Sequence, residues 1–302
     1  MIEPGILSLV EDFGRFGLCD KGISNSGVMD EYAYIIANKL LQNEAGTNCI
    51  EITLGGLKLK TNSDCVISIT GADCGCKINS KKIGNWKTYN LHVGDIIEFG
   101  YAKEGMRAYL SVKGGFYIPK ELGSNSTTLK EGIGGIDGNK LKKGDILNFK
   151  SSQFQDYNLA LKNEFAPKYE KYLTLRVVLG YQDNFFNTLE IEKFFSQTYT
   201  ISSQNNRMGY RLEGQQINCQ LDGIISEGIS FGAIQIPKDG KPIILLKDRQ
   251  TIGGYPKIGS VIPIDCFRLS QLRAGDSIKF KQISIEITQE KIKLFNSSIL
   301  QI

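Results

Sequence analysis

Asp248-Arg249-Gln250-Thr251 set a carboxylate, a guanidinium, an amide and a hydroxyl at four consecutive positions. They follow the apolar run 242–246, and Gly253-Gly254, Tyr255, Pro256 and Lys257 come next. Asp248 has the chemistry of a base or a metal-binding carboxylate. Arg249 and Lys257 supply cations that can steady negative charge developing on an oxygen. These three are the catalytic candidates. Gln250, Thr251 and Tyr255 are candidates for substrate binding, and Gly253 and Gly254 would let backbone approach a ligand closely. A strand end that opens into a glycine-rich polar loop is a common place for function, because the strand holds the loop rigidly. The plainer alternative is that Asp248 and Arg249 neutralise each other while the glycines only turn the chain. An exposed loop is expected here, so that Arg249→Ala should spare stability.

Arg207 and Arg211 lie four apart around Gly209. If both faced one pocket they would fork onto a carboxylate or phosphate; as separate surface arginines they would contribute little. Glu227 and Asp73 each sit at the edge of an apolar run. Both can join the same cleft or merely cap a turn. Gln235 is a lone polar residue in the apolar run 229–236, pointing either to substrate or to solvent. The single histidine, His92, reads as a partly exposed strand residue, and no G-x-S-x-G elbow accompanies it. Seven cysteines are an odd number with no cluster of metal-ligand spacing, so reduced thiols and no metal site are expected. No P-loop and no Met-Lys-Met biotin acceptor occurs.

The elements that must position these groups are β-strands. Glycine is 33 of 302 residues, and it separates short β-rich runs at 66–70, 96–99, 108–112, 173–179 and 243–246. A Gly-Asp turn recurs at Gly94-Asp95, Gly144-Asp145 and Gly275-Asp276, each followed by a run ending in Phe. Asp30 can cap a helix through Leu41, and a second helix should begin near Asn187 or Thr188 and run to Phe195. The polar stretch 150–171 suggests a linker. We therefore expect a mainly β protein with a few short helices, divided into an N-terminal unit over 1–155 and a C-terminal unit over 172–302. The linker would cover about 156–171, and whether the units exchange strands is open. Net charge +4 with scattered lysines argues against nucleic-acid binding. No run is long enough to span a membrane, and acidic residues occupy the place of a signal peptide's apolar core; a cytoplasmic location is the expectation. Asn125-Ser126-Thr127 matches a glycosylation sequon, which would matter only after export.

Read together, several blocks carry a family likeness. They are residues 4–17 (PGILSLVEDFGRFG), Ser24-Asn25-Ser26-Gly27-Val28-Met29-Asp30, Ile69-Thr70-Gly71-Ala72-Asp73, residues 206–214 (NRMGYRLEG) and the glycine-rich stretch 226–260. In this order they resemble the KipA family. Its members are also called the C subunit of 5-oxoprolinase, or the biotin-dependent carboxyltransferase family, and are related to the second subunit of allophanate hydrolase. The resemblance implies two cyclophilin-like β-barrel units. It brings the block Arg207 to Arg211, Tyr210 included, into the expected substrate-binding set. It further implies ATP-dependent conversion of 5-oxo-L-proline to L-glutamate. The implied partners are a KipI-like B subunit of 5-oxoprolinase and the A subunit of the same enzyme, with a small carboxylate or amide as substrate. ATP would be used by the complex, with the site of its binding unspecified, and no biotin would be attached to this chain. Two other activities fit the same likeness: carboxyl transfer from a biotin carrier to urea or another amide, and non-enzymatic regulation by binding a KipI-type kinase inhibitor.

Overall fold

The computed structural model describes residues 1–151 and 158–301. Two residues of the expected linker, 156 and 157, lie outside that description, as does the expected end of the first unit. Chain contacts divide the protein into Met1–Arg15 with Ser26–Tyr169, and Phe16–Asn25 with Glu170–Ile302. The segment Phe16–Asn25 was expected with the N-terminal unit and belongs instead to the second. The reason is polar: Asn25 Oδ1 accepts from Arg249 Nη2 at 2.9 Å, and Ser24 Oγ donates to the Arg249 carbonyl at 3.2 Å. What is exchanged is a loop with one 3-10 turn, Cys19–Lys21, rather than a strand.

The first unit is built on two five-stranded sheets. Strands Leu7–Glu11, Cys49–Thr53, Glu104–Val112, Cys65–Asp73 and Lys87–Leu91 form the larger one. Its apolar residues, among them Val10, Ile50, Ile69 and Leu110, share a core with Leu57 and Ile97 of the other sheet. The helix Glu31–Leu40 packs here, and its cap is the one expected: Asp30 Oδ1 accepts from the Ala33 N–H at 3.1 Å. The sequon is fully inside. Asp12 accepts from Ser124 Oγ, Ser126 Oγ and the Asn125 N–H at 2.5–2.8 Å, and Asn125 Nδ2 donates to the Ile118 carbonyl at 2.7 Å. In the folded chain Asn125 is buried.

The second unit is a closed seven-stranded barrel. Its order is Tyr172–Leu179, Lys257–Val261, Ala233–Gln235, Ile243–Leu245, Gly209–Glu213, Thr198–Asn205 and Ser277–Gln282, and a parallel pairing of the last strand with the first completes the ring. Closure leaves no free edge. The helix Thr188–Ser196 starts at its Asn187 cap, close to the expected place, and stacks Phe194 on Phe280. Two further helices, Pro263–Leu269 and Ile285–Gln301, were not foreseen. The second is masked in sequence by its β-branched first turn and buries only Thr288 and Ile299.

The three Gly-Asp turns prove to be one device. Each aspartate carboxylate accepts from the backbone N–H three residues earlier, at 2.7–2.8 Å, and each glycine has φ between 89° and 93°. A strand follows the first and third, but not the second.

Candidate functional site

Register across the barrel wall decides which candidates meet. Tyr210 faces Ile244, and Ile244 faces Ile234; all three are buried. Successive strand residues point to opposite faces, so their neighbours form an outer row. That row is Arg211, Ile243, Gln235 and Lys257, each opposite the next on the adjacent strand. Lys257 reaches the row through a bulge. Ile234 pairs with Gly259 but Gln235 pairs with Lys257, so Ile258 is the extra residue. A bulge of this kind re-aims the side chains that follow it.

The short strand Glu227–Gly228 lies beside this face, paired only with Ile252–Gly253. It delivers Glu227 to Lys257. Glu227 Oε1 accepts from Lys257 Nζ and from Gln182 Nε2, the latter at 2.7 Å. Gln182 Oε1 in turn accepts from the Lys257 backbone N–H at 2.8 Å, and Gln182 Nε2 also reaches the Tyr181 hydroxyl at 3.1 Å. These groups border a cleft of about 250 Å³ lined also by Gly228, Ser230 and Ser260. The two serine hydroxyls stand 3.5 Å apart.

The electrostatics follow from this ring. Hydrogen bonds from Lys257 and then Tyr181 hold the Glu227 carboxyl below its ordinary range. The same Glu227 bond pushes the Tyr181 phenol up, so it stays protonated at neutral pH. Lys257 is the enclosed member of the pair, its side chain 11% exposed against 32% for Glu227. Chemically the cleft offers an ionised acceptor beside a shielded ammonium and a neutral phenol. That is an acid–base pair able to move a proton and to steady an oxyanion.

The other expected site residues are placed differently. Arg207 and Arg211 do not fork together: Arg207 is buried in the bend before the strand Gly209–Glu213, and Arg211 is exposed within that strand. Asp248 is engaged by Arg207, Nε to Oδ2 at 2.8 Å and Nη2 to Oδ1 at 3.0 Å, both side chains buried. Arg249 is also interior. Its Nε and Nη1 donate to the carbonyls of Ile229 and Leu246 at 3.0 and 3.1 Å, and burial lowers its pKa. Tyr210 is core, its hydroxyl within 3.4 Å of the Ser270 and Leu272 carbonyls. Asp73 belongs to the first unit, where Oδ1 accepts from the Gly75 N–H at 2.8 Å and closes a turn. Gly253 and Gly254 serve packing rather than ligand approach: a Cβ on Gly253 would meet Ile229 Cδ1 at 2.6 Å and Gln235 Nε2 at 2.7 Å. Gln250 and Thr251 are half-buried and Tyr255 is exposed on the same segment. Of the candidates, Glu227 and Lys257 line the cleft, and Gln235 is buried opposite Lys257.

Tyr181, Gln182, Ser230 and Ser260 were missed. Gly180-Tyr181-Gln182-Asp183 carries the signal that singled out the segment 248–257, a strand running into a glycine and polar residues. The first unit has its own cavity of about 180 Å³, walled by Ile67, Leu91, Leu110 and Phe149. Polar residues, among them Lys60, Asn62, Asp145 and Asn148, share its wall.

Burial overturns the expectation that Arg249→Ala spares stability. The variant should lower the melting temperature by several degrees, since it strands two carbonyls and Asn25 and leaves a cavity. A thermal melt of the isolated chain measures this; an unchanged melt would mean the guanidinium is dispensable to the fold.

Comparison with known proteins agrees with this architecture. The chain is 35% identical over 291 residues to the C subunit of 5-oxoprolinase from Escherichia coli, covering 95% of this chain and 91% of that one. It is 37% identical over 290 residues to the C subunit of 5-oxoprolinase from Haemophilus influenzae, covering 94% and 90%. The crystal structure of the Kluyveromyces lactis urea carboxylase superposes with a TM-score of 0.91 at 28% identity, over 99% of this chain and 28% of that one. Residues 21–282 match the family described as the carboxyltransferase domain, subdomain A and B. On that match and on the two near full-length relatives, the chain belongs to the carboxyltransferase domain family.

Proposed function

We propose that this protein is the C subunit of a 5-oxoprolinase, acting with other subunits to open the lactam of 5-oxo-L-proline to L-glutamate with hydrolysis of ATP. The observation that carries the reading is the end-to-end similarity to two proteins that bear that name. The cleft chemistry supports it: lactam opening passes through a tetrahedral oxyanion, which a shielded ammonium such as Lys257 stabilises, while Glu227 accepts a proton. The partners are the KipI-like B subunit of the enzyme and its A subunit. The assembly is cytoplasmic, and the chain by itself is inactive. Among the described residues no helix is long and apolar enough to cross a membrane.

ATP does not fit this cleft. A triphosphate needs several converging cations or a backbone nest, and Lys257 is a single cation already paired with Glu227. We assign nucleotide binding to another part of the complex and route no step through it here. The test is co-expression of this chain with its two partner subunits. The complex should release glutamate from 5-oxo-L-proline only with ATP, and this chain alone should release none.

A second reading, carboxyl transfer from carboxybiotin to an amide, is favoured by the urea carboxylase likeness. It would require a biotin carrier in trans. Glutamate release without biotin, and no carboxylation of urea, separates the two.

A further inference from the structure

Gln235 is 1% exposed, and its Nε2 has no hydrogen-bond partner among the described residues. Ile229, Ala233, Ile243 and Leu245 pack together on this face. A buried amide donor left unbonded destabilises the fold, and a methionine or leucine would suit those neighbours better. A residue that costs stability in the resting form is expected where function uses it.

Its position says what that use is. Gln235 stands directly opposite Lys257, and Gly253 lies against its amide nitrogen. Gly253 is half of the ribbon that carries Glu227, and the ribbon pairs through only two residues on each side. The bonds from Lys257, Gln182 and Tyr181 to Glu227 pin that ribbon down. Moving it outward would part Glu227 from Lys257 and uncover Gln235 in the same step.

We propose that Gln235 is the ligand-anchoring residue of this cleft, donating from Nε2 to an acceptor oxygen of the bound molecule once the Glu227–Gly228 ribbon lifts. The ligand is a small molecule whose carbonyl or carboxylate oxygen lies between the Gln235 amide and the Lys257 ammonium. In the closed form the donor is held without a partner, so binding is the event that satisfies it. The inference rests on the cleft being the functional site.

The test pairs stability with function. Gln235→Met keeps length and apolar packing while removing the donor. It should melt at or above the wild-type temperature, because no bond is lost in the closed form. In the reconstituted complex it should raise KM for 5-oxo-L-proline about tenfold and leave kcat within about twofold, as loss of uniform binding does. A lowered melting temperature or an unchanged KM overturns the proposal, since either would make Gln235 a structural residue. A second measurement does not depend on turnover. The 15N side-chain amide signal of Gln235, assigned by its loss in Gln235→Met, is followed in the isolated chain on titration with acetamide and with acetate. A shift with acetamide alone assigns a carbonyl oxygen, and a shift with acetate alone a carboxylate. No shift with either, nor with 5-oxo-L-proline, overturns the anchoring role. If the wild-type complex fails to open 5-oxo-L-proline, the functional reading falls, and this titration still decides Gln235.

Discussion

Glu227→Gln should abolish most turnover of the reconstituted complex, by about 10²-fold or more, while the barrel still folds. The glutamine keeps the shape and can still accept from Gln182 and Tyr181, but it has no charge and no basicity. Because the Glu227 side chain is partly exposed and anchors only a two-residue ribbon, its loss bears on the cleft more than on the core. Lys257→Met should cost about 10²–10³-fold, the scale seen when one oxyanion donor is removed. The pair also predicts a pH signature. Glu227 is depressed in the folded chain, so its ionised form contributes stability above the ordinary glutamate value of about 4.3, and that contribution is lost as pH falls through the lower folded value. Removing Lys257 removes the first cause of the depression, so the Glu227 carboxyl should titrate at higher pH in Lys257→Met. Carboxyl 13C titration reads this directly. If the two chains titrate alike, or if Glu227→Gln retains full turnover, the acid–base centre lies elsewhere.

Breaking the Arg207–Asp248 pair should be the most destabilising single change in the second unit. Both side chains are buried and meet through two parallel bonds, and the backbone of Asp248 also donates to the Arg207 carbonyl at 3.0 Å. Removing one partner leaves the other charge in the interior, at a cost of about 3–5 kcal/mol. For a unit of this size that corresponds to a fall of roughly 10 °C in melting temperature. Replacing both partners by apolar residues of similar volume, Arg207→Met with Asp248→Leu, should recover most of the loss, because no orphan charge remains. Thermal melts of the two single variants and the double variant form the test. Additive losses would contradict a coupled pair. The same variants separate structure from chemistry: the double variant should keep turnover, since neither side chain lines the cleft with Glu227 and Lys257.

Much of the architecture is local physics and was readable from the chain. Short runs of β-branched residues cut by glycine must pair as strands, since they lack the length and spacing for helices. Asp30 and Asn187 mark helix starts because a side-chain oxygen answers a backbone N–H that the helix leaves unpaired. The three Gly-Asp turns close on themselves within four residues, so their geometry needed nothing from the rest of the protein. Glu227 and Lys257 were likewise legible as polar residues at strand ends.

Their partners were not. In a strand the side-chain period is two, so the face a residue occupies depends on register, and a single inserted residue reverses it. The bulge at Ile258 brings Lys257 opposite Gln235, while Arg207 and Arg211, which looked like a fork, part because Arg207 sits in the bend before the strand and turns to Asp248. Asp248 and Arg249 have the composition of a catalytic loop, yet long-range contacts with Arg207, Ile229 and Asn25 draw both into the interior. Local sequence set which groups were present and that strands would carry them. Pairing between segments tens to hundreds of residues apart, which no local pattern encodes, decided which of those groups became the cleft and which became the structure beneath it.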